Sequence, residues 1–168
     1  MEYNLKPLST GGIPQALAKV THYRYLNQAD EAESICRDVL EADPANQMAL
    51  RLLGLVITDQ FTGGPYDRYQ EAESTFQQLT DPYERMYYTG IAHERRAKAQ
   101  TRAGHLVGSL IALFEEAMKC YGQAEKIRPA GNDDAVLRWN RCARLLQKLT
   151  AGASLQEEEF EAADSPPV

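Results

Sequence analysis

One spacing recurs three times along the chain and leaves few folds open. It reads Ala32, Cys36, Val39, Pro44, then Ala72, Phe76, Leu79, Pro82, then Ala117, Tyr121, Ala124, Pro129. Each run sets a small residue one turn before a larger one and two turns before a further apolar residue, all on one helical face. The small residue lets a neighbouring helix approach closely, and the large one fills the groove beside it. The proline cannot continue a helix, so it marks the turn into the next. A chain built this way should be a set of short helices stacked in pairs.

A second pattern precedes these runs. Leu50, Leu53, Gly54 and Ile57 put apolar residues on one helical face around a glycine, which is a close-contact position. Together the two patterns resemble the tetratricopeptide repeat, a helix-turn-helix motif that runs W-x2-L-G-x2-Y, then A-x3-F, then P. Val20, Tyr23, Ala32, Cys36 and Pro44 match its spacing in the first repeat, which departs at Lys19 (usually leucine) and Val20 (usually glycine). The resemblance covers roughly residues 13–149. Ala32 to Ala72 spans 40 residues and Ala72 to Ala117 spans 45, against about 34 for the family. Two insertions account for the excess. One is the loop Thr58 to Gln70, broken by Gly63-Gly64-Pro65. The other lies around Gln100 to Ser109, read as two lengthened helices meeting near Gly104.

Helices are expected at 13–26, 30–42, 46–60, 67–79, 82–103, 106–128 and 132–149. No stretch alternates apolar and polar residues long enough to argue for a sheet. The last helix opens on Asn132-Asp133-Asp134, a capping side chain followed by acids that suit the helix dipole. Its apolar face is Ala135, Val136, Trp139, Cys142, Ala143, Leu146 and Leu149, as needed to cover the open side of a last hairpin. The expected class is therefore all-α. The family resemblance implies a right-handed superhelical array of about three hairpins plus a C-terminal capping helix. Residues 1–12 read as a lead, 13–150 as the repeat domain and 151–168 as a disordered acidic tail.

Charge is unevenly spread. The net value of -6 divides into -6 over residues 1–81, +5 over 82–150 and -5 over 151–168. The basic zone favours an acidic partner, and the tail, with Phe160 amid four glutamates, is a candidate occupant in cis or on a neighbouring molecule. No apolar run approaches the roughly 20 residues of a membrane span. Met1-Glu2-Tyr3-Asn4-Leu5-Lys6 has no basic head followed by an apolar stretch, so no secretion signal is expected. Three cysteines suggest a reducing compartment, and the expected location is cytoplasmic.

Catalytic signatures are absent from the sequence, so no enzyme, cofactor or metal is expected. There is no phosphate-cradling glycine loop and no G-x-G-x-x-G. His93-Glu94 opens like a zinc-protease motif, but Ala97 stands where its second histidine is needed. His22, His93 and His105 are scattered. Cys36 and Cys142 lie on apolar helix faces and Cys120 beside one, as buried small hydrophobes do.

The candidate binding residues lie mostly between Tyr83 and Arg102. Met86, Gly90, His93 and Ala97 share a face that should pack on neighbouring helices. Another face carries Glu84, Tyr87, Tyr88, Ile91, Glu94, Arg95, Lys98 and Arg102. In tetratricopeptide arrays the first helix of each pair lines the concave surface, so the resemblance implies that this face lines it here. Tyrosine and arginine are the types most often found at energetic centres of interfaces, and arginine recognises carboxylates in a planar, two-point fashion. Core packing is the competing role for the two tyrosines. Tyr25 and Arg51 on earlier first helices, and Arg138 and Arg141 on the last helix, extend the candidate set. The first-helix surface positions Leu17, Thr21, Arg24, Tyr25, Arg51, Leu55 and Thr58 lack the paired Lys/Asn arrangement with which some family members clamp a C-terminal carboxylate.

The expected function is a non-catalytic adaptor or scaffold that binds a peptide or helix of another protein, with an acidic segment favoured. Two alternatives stand beside it. One is a small chaperone of the same repeat type for a secreted or assembling partner. The other is RNA binding by the basic zone, which the overall acidity and a pI near 5.1 oppose. Self-association by stacking of open-ended arrays is a further expectation.

Overall fold

The alternation of apolar stripes and breakers becomes seven α-helices in the computed structural model, which describes the backbone of residues 3–163 and the side chains of residues 3–152. They are α1 (Ile13–Tyr25), α2 (Ala29–Ala42), α3 (Gln47–Asp59), α4 (Tyr69–Gln77), α5 (Pro82–Arg102), α6 (Val107–Lys126) and α7 (Asp134–Ala163), with a 3-10 turn at Thr10–Gly12 ahead of α1. No strand occurs among the described residues. The bounds lie within two residues of those expected, except at the end of α7.

There the helix runs through Ala163, well past the expected end at 149. The acidic composition after Ala151 suggested an irregular tail, yet Ala, Leu, Gln and Glu are strong helix formers. A single Gly152 costs only about 1 kcal/mol against alanine. The side chains beyond Gly152 and residues 164–168 lie outside the described residues, and with them the docking of Phe160.

Side-chain caps hold several helix starts. Asn46 Oδ1 accepts from the Ala49 amide at 3.0 Å, and Asp81 Oδ1 accepts from the Tyr83 amide at 2.8 Å. Asn132 Oδ1 accepts from the Asp134 amide at 3.0 Å and from the Tyr83 hydroxyl at 3.2 Å, so one side chain joins the N-termini of α5 and α7. The α5–α6 junction is a tight turn, not a loose loop. Gly104 sits at φ +77°, and the His105 amide donates back to the Gln100 carbonyl at 3.1 Å, an ending that favours glycine. In the loop before α4, the Asp67 carboxylate accepts from the Thr62 and Gly63 amides at 2.8 and 2.7 Å.

All nine apolar positions of the recurring pattern are buried, none more than 1 % exposed. The two close-contact glycines are equally specific. A Cβ at Gly54 would lie 2.3 Å from the Phe76 ring, and one at Gly90 would lie 2.7 Å from the Tyr121 ring. Phe76 and Tyr121 are the large residues of the second and third runs, so each of these two hairpins closes by a ring laid on a glycine. Rings of that size each contribute about 1.5–3 kcal/mol on burial.

Each helix packs on the next in sequence, and α1 also meets α3, as α3 meets α5. That alternation sets the first helices of successive hairpins side by side. The second helices are tied as well. Arg68, just before α4, reaches Glu33 of α2 at 2.6 Å, and Arg37 of α2 reaches Glu71 of α4 at 2.7 Å.

Candidate functional site

A chain of ion pairs crosses the first helices from α1 to α7. Arg24 of α1 donates from Nε to Asp59 of α3 at 2.7 Å. Arg95 of α5 pairs with the same carboxylate, and its Nη1 also donates to the Thr58 hydroxyl at 2.6 Å and the Leu55 carbonyl at 3.1 Å. Arg51 of α3 donates to Glu84 of α5 at 2.6 Å. Glu94 of α5 accepts from Lys98 and, at 3.4 Å, from Arg138 of α7, while Arg141 stands 4.0 Å away. Six cations thus share three carboxylates, leaving the band with an excess of positive charge.

Glu94 is the hub. Its carboxylate is fully buried and also accepts from the Tyr121 hydroxyl of α6 at 2.6 Å, so a single group binds α5, α6 and α7. Burial opposes its ionisation, but hydrogen bonds from Lys98 and Tyr121 and the charges of Lys98 and Arg138 outweigh this and hold its pKa below the ordinary value. Burial, followed by the charge of Glu94, pushes the Tyr121 hydroxyl far above its ordinary value. The tyrosine therefore stays a donor.

Two hollows flank the band. One of about 300 Å³ is lined by Thr21, Arg24, Tyr25, Asn27, Ala29 and Asp59. The other, about 340 Å³, is lined by Tyr87, Asp134, Leu137, Arg138 and Arg141. Tyr25 is 83 % exposed and Leu137 64 % exposed, apolar area available beside the charges.

The expected binding residues divide accordingly. The structure brings Tyr87, Glu94, Lys98, Arg138 and Arg141 together at the α5–α7 end. Arg95 joins Arg24 and Asp59 in the middle, Arg51 lies with Glu84 and Tyr88, and Tyr25 stands at the α1 end. Two of them do not offer surface. Ile91 and Glu94 are buried, because α6 and α7 cover a wider arc of α5 than a one-sided amphipathic pattern suggests. Tyr88 is half-buried in the core, stacked on Phe76 with ring centres 5.5 Å apart, and the Arg51 guanidinium lies over its ring at 5.8 Å from the centroid. Tyr87 is half-buried too, stacked on Tyr83 and edge-on to Tyr88. On the packing face, Gly90 and Ala97 are buried as expected, while Met86 is exposed and His93 shares a hydrogen bond with the Tyr69 hydroxyl at 3.0 Å.

Asp59 and the Glu94–Tyr121 bond escaped sequence reasoning. Asp59 had a findable signal, since it lies two turns beyond Arg51 and one beyond Leu55 on the same helical face. The pairing of Glu94 with Tyr121 depends on the length of the α5–α6 hairpin and had none.

Burial disfavours the thiolate form of all three cysteines. Burial pushes the Cys36 and Cys142 thiols up to about 12 and the Cys120 thiol up to about 11. No group of His, Cys, Asp and Glu suited to a metal ion occurs among the described residues. No described helix is long and apolar enough to cross a membrane. No protein-family model matches the chain, and no curated protein matches it.

Proposed function

We propose that the chain is a non-catalytic protein-interaction module of the tetratricopeptide type. Three hairpins and a closing helix wind as a right-handed array, and the face made by α1, α3, α5 and α7 takes an extended or helical acidic segment of another protein. The observation that carries this role is the band of six cations on three carboxylates, flanked by hollows that expose Tyr25 and Leu137. Rigid helices fix these side chains in advance, so little ordering is needed on binding. A partner carboxylate entering beside Arg138 and Arg141 meets cations already desolvated on one side, and the surrounding charge speeds encounter.

The test uses two fluorescent peptide sets of equal length, one rich in Asp and Glu, the other in Lys and Arg. Anisotropy should report binding of the acidic set alone, weakening with salt. The double variant Tyr25→Ala/Arg141→Ala, both positions largely exposed, should weaken it at least about tenfold, which is about 1.4 kcal/mol. Equal binding of both sets, or an unchanged double variant, removes the assignment of this face.

A further inference from the structure

A hollow of about 310 Å³ opens where the loop before α4 meets the end of α5, and it shares no residue with the band of ion pairs on the first helices. Arg96 lines it. Arg96 follows Arg95 along α5, but one residue turns a helix by about 100°. Arg95 therefore meets Asp59 of α3, while Arg96 lies over the Tyr69 ring of α4, 4.6 Å from its centre. Arg96 is half-buried, yet it makes no ion pair among the described residues. Its charge is partly desolvated and steadied by the ring, with no counter-ion. The loop supplies the opposite charge. Asp67 lines the same hollow. Its carboxylate accepts from the Thr62 amide at 2.8 Å, the Thr62 hydroxyl at 3.0 Å and the Gly63 amide at 2.7 Å. Those bonds fill three of its roughly four lone-pair positions. The loop is pressed against α5, since a Cβ on Gly63 would lie 2.6 Å from the Ala99 carbonyl oxygen.

A held cation and a held anion therefore line one space without pairing with each other. Gln100, one turn beyond Arg96 on α5, and His105 add hydrogen-bonding groups, while Pro65 and Tyr69 add apolar surface. A simple anion entering this hollow would meet Asp67, and a simple cation would meet Arg96. A ligand that carries both charges close together satisfies the two at once. We propose that the hollow binds a free α-amino acid with an apolar side chain. Its carboxylate accepts from Arg96 and Gln100, its ammonium donates to the remaining lone pair of Asp67, and its side chain lies against Pro65 and Tyr69. The volume of about 310 Å³ stands at the small end of the range for ligand sites, about 300–1,000 Å³, which suits a single amino acid. Both charged groups are in place before the ligand arrives, so little ordering accompanies binding.

Amide NMR spectra of the isotope-labelled full chain test this with L-phenylalanine, with its amide, which keeps only the ammonium, and with N-acetyl-L-phenylalanine, which keeps only the carboxylate. The free amino acid should give saturable shifts at the Gly63 and Gly64 amides and at the Gln100 side chain. Each derivative should bind at least about tenfold more weakly, because it leaves one charged group of the hollow without its hydrogen bond. Gln100→Glu sets a carboxylate one turn from Arg96, where it pairs with that cation within the helix. That variant should lose binding while its helix content and thermal midpoint stay those of the wild type. Asp67→Asn should weaken the free amino acid and leave N-acetyl-L-phenylalanine binding no more weakly than before. The variant Tyr25→Ala/Arg141→Ala should take up the amino acid as the wild type does, which separates this hollow from the face proposed for acidic segments. No saturable shift, equal binding of the amino acid and its derivatives, unchanged binding by Gln100→Glu, or shifts confined to residues outside the hollow would overturn the assignment.

Discussion

Replacing Gly54 with alanine should destabilise the protein even though it removes a poor helix former from the middle of α3. A Cβ there would lie 2.3, 2.6 and 2.7 Å from three carbons of the Phe76 ring. Carbon pairs pack at about 3.5–4.0 Å, so the overlap exceeds about 1 Å. The ring has no free space to move into. It is fully buried, clusters with Leu50 and Leu79, and stacks on Tyr88. Relief must come from moving α4 away from α3, and such overpacking costs about 1–3 kcal/mol. The gain in helix propensity offsets about 1 kcal/mol. With both the ring and its neighbours held, the net loss should be about 1–2 kcal/mol. Gly122 in α6 provides the control, because a Cβ there meets nothing within 4 Å. Gly122→Ala should stabilise by about 0.5–1 kcal/mol. The two variants should therefore differ by about 2 kcal/mol, or about 4–8 °C in Tm for a chain of this size. Urea unfolding followed by far-UV circular dichroism measures both. If Gly54→Ala proves as stable as Gly122→Ala, the ring-on-glycine seam does not hold these helices together.

Glu94→Ala strands Lys98 and Arg138 beside an unpartnered Tyr121 hydroxyl and should cost about 3–5 kcal/mol, read by the same unfolding experiment; a loss under about 1 kcal/mol would show that the hub is dispensable. The carboxyl of Glu94 is held below its ordinary 4.5, and that of Glu33 falls to about 2, chiefly through its hydrogen bond from Arg68. Both contributions are complete above about pH 4.5 and are lost as pH falls through the folded values. Acid titration should therefore show unfolding beginning below 4.5, and a stability flat from pH 5 to pH 2 would contradict these pairs. Gly63→Ala should loosen the loop before α4, because residue 63 sits at φ +86° and its Cβ would lie 2.6 Å from the Ala99 carbonyl oxygen; faster proteolysis between residues 61 and 68 is the expected readout, and unchanged cleavage would count against it.

The helices were legible in the sequence because period and punctuation are local properties. Ala32, Ala72 and Ala117 each precede a larger residue by one turn, and all of these positions are buried. The segment Gln100 to Ser109 was also legible as a turn between two long helices, since apolar periodicity continues on both sides of Gly104. The candidate site was readable only in part. Arg51 and Arg95 were identifiable as cations on first helices and Arg138 and Arg141 as cations on the last helix, and they do lie along one band. Which carboxylate each one pairs with was not, because Arg51 meets Glu84, Arg95 meets Asp59 and Arg138 meets Glu94 only across different helices, brought near by the stacking of one hairpin on the next.

The composition and spacing of this chain determined that it forms amphipathic helices closed by proline and glycine, and that the recurring small and large positions turn inward. Those choices follow from backbone geometry and the cost of exposing apolar area, which act within a few residues. Tertiary structure decided which charged side chains stay available. The same α5 face holds both Glu94, sealed under α6 and α7, and Lys98, still partly in solvent, and a helical wheel cannot distinguish them. How wide an arc each neighbour covers, and which cations share one carboxylate, depend on the angles and offsets at which whole helices meet. Those are set by many side chains packing together, not by any single stretch of sequence.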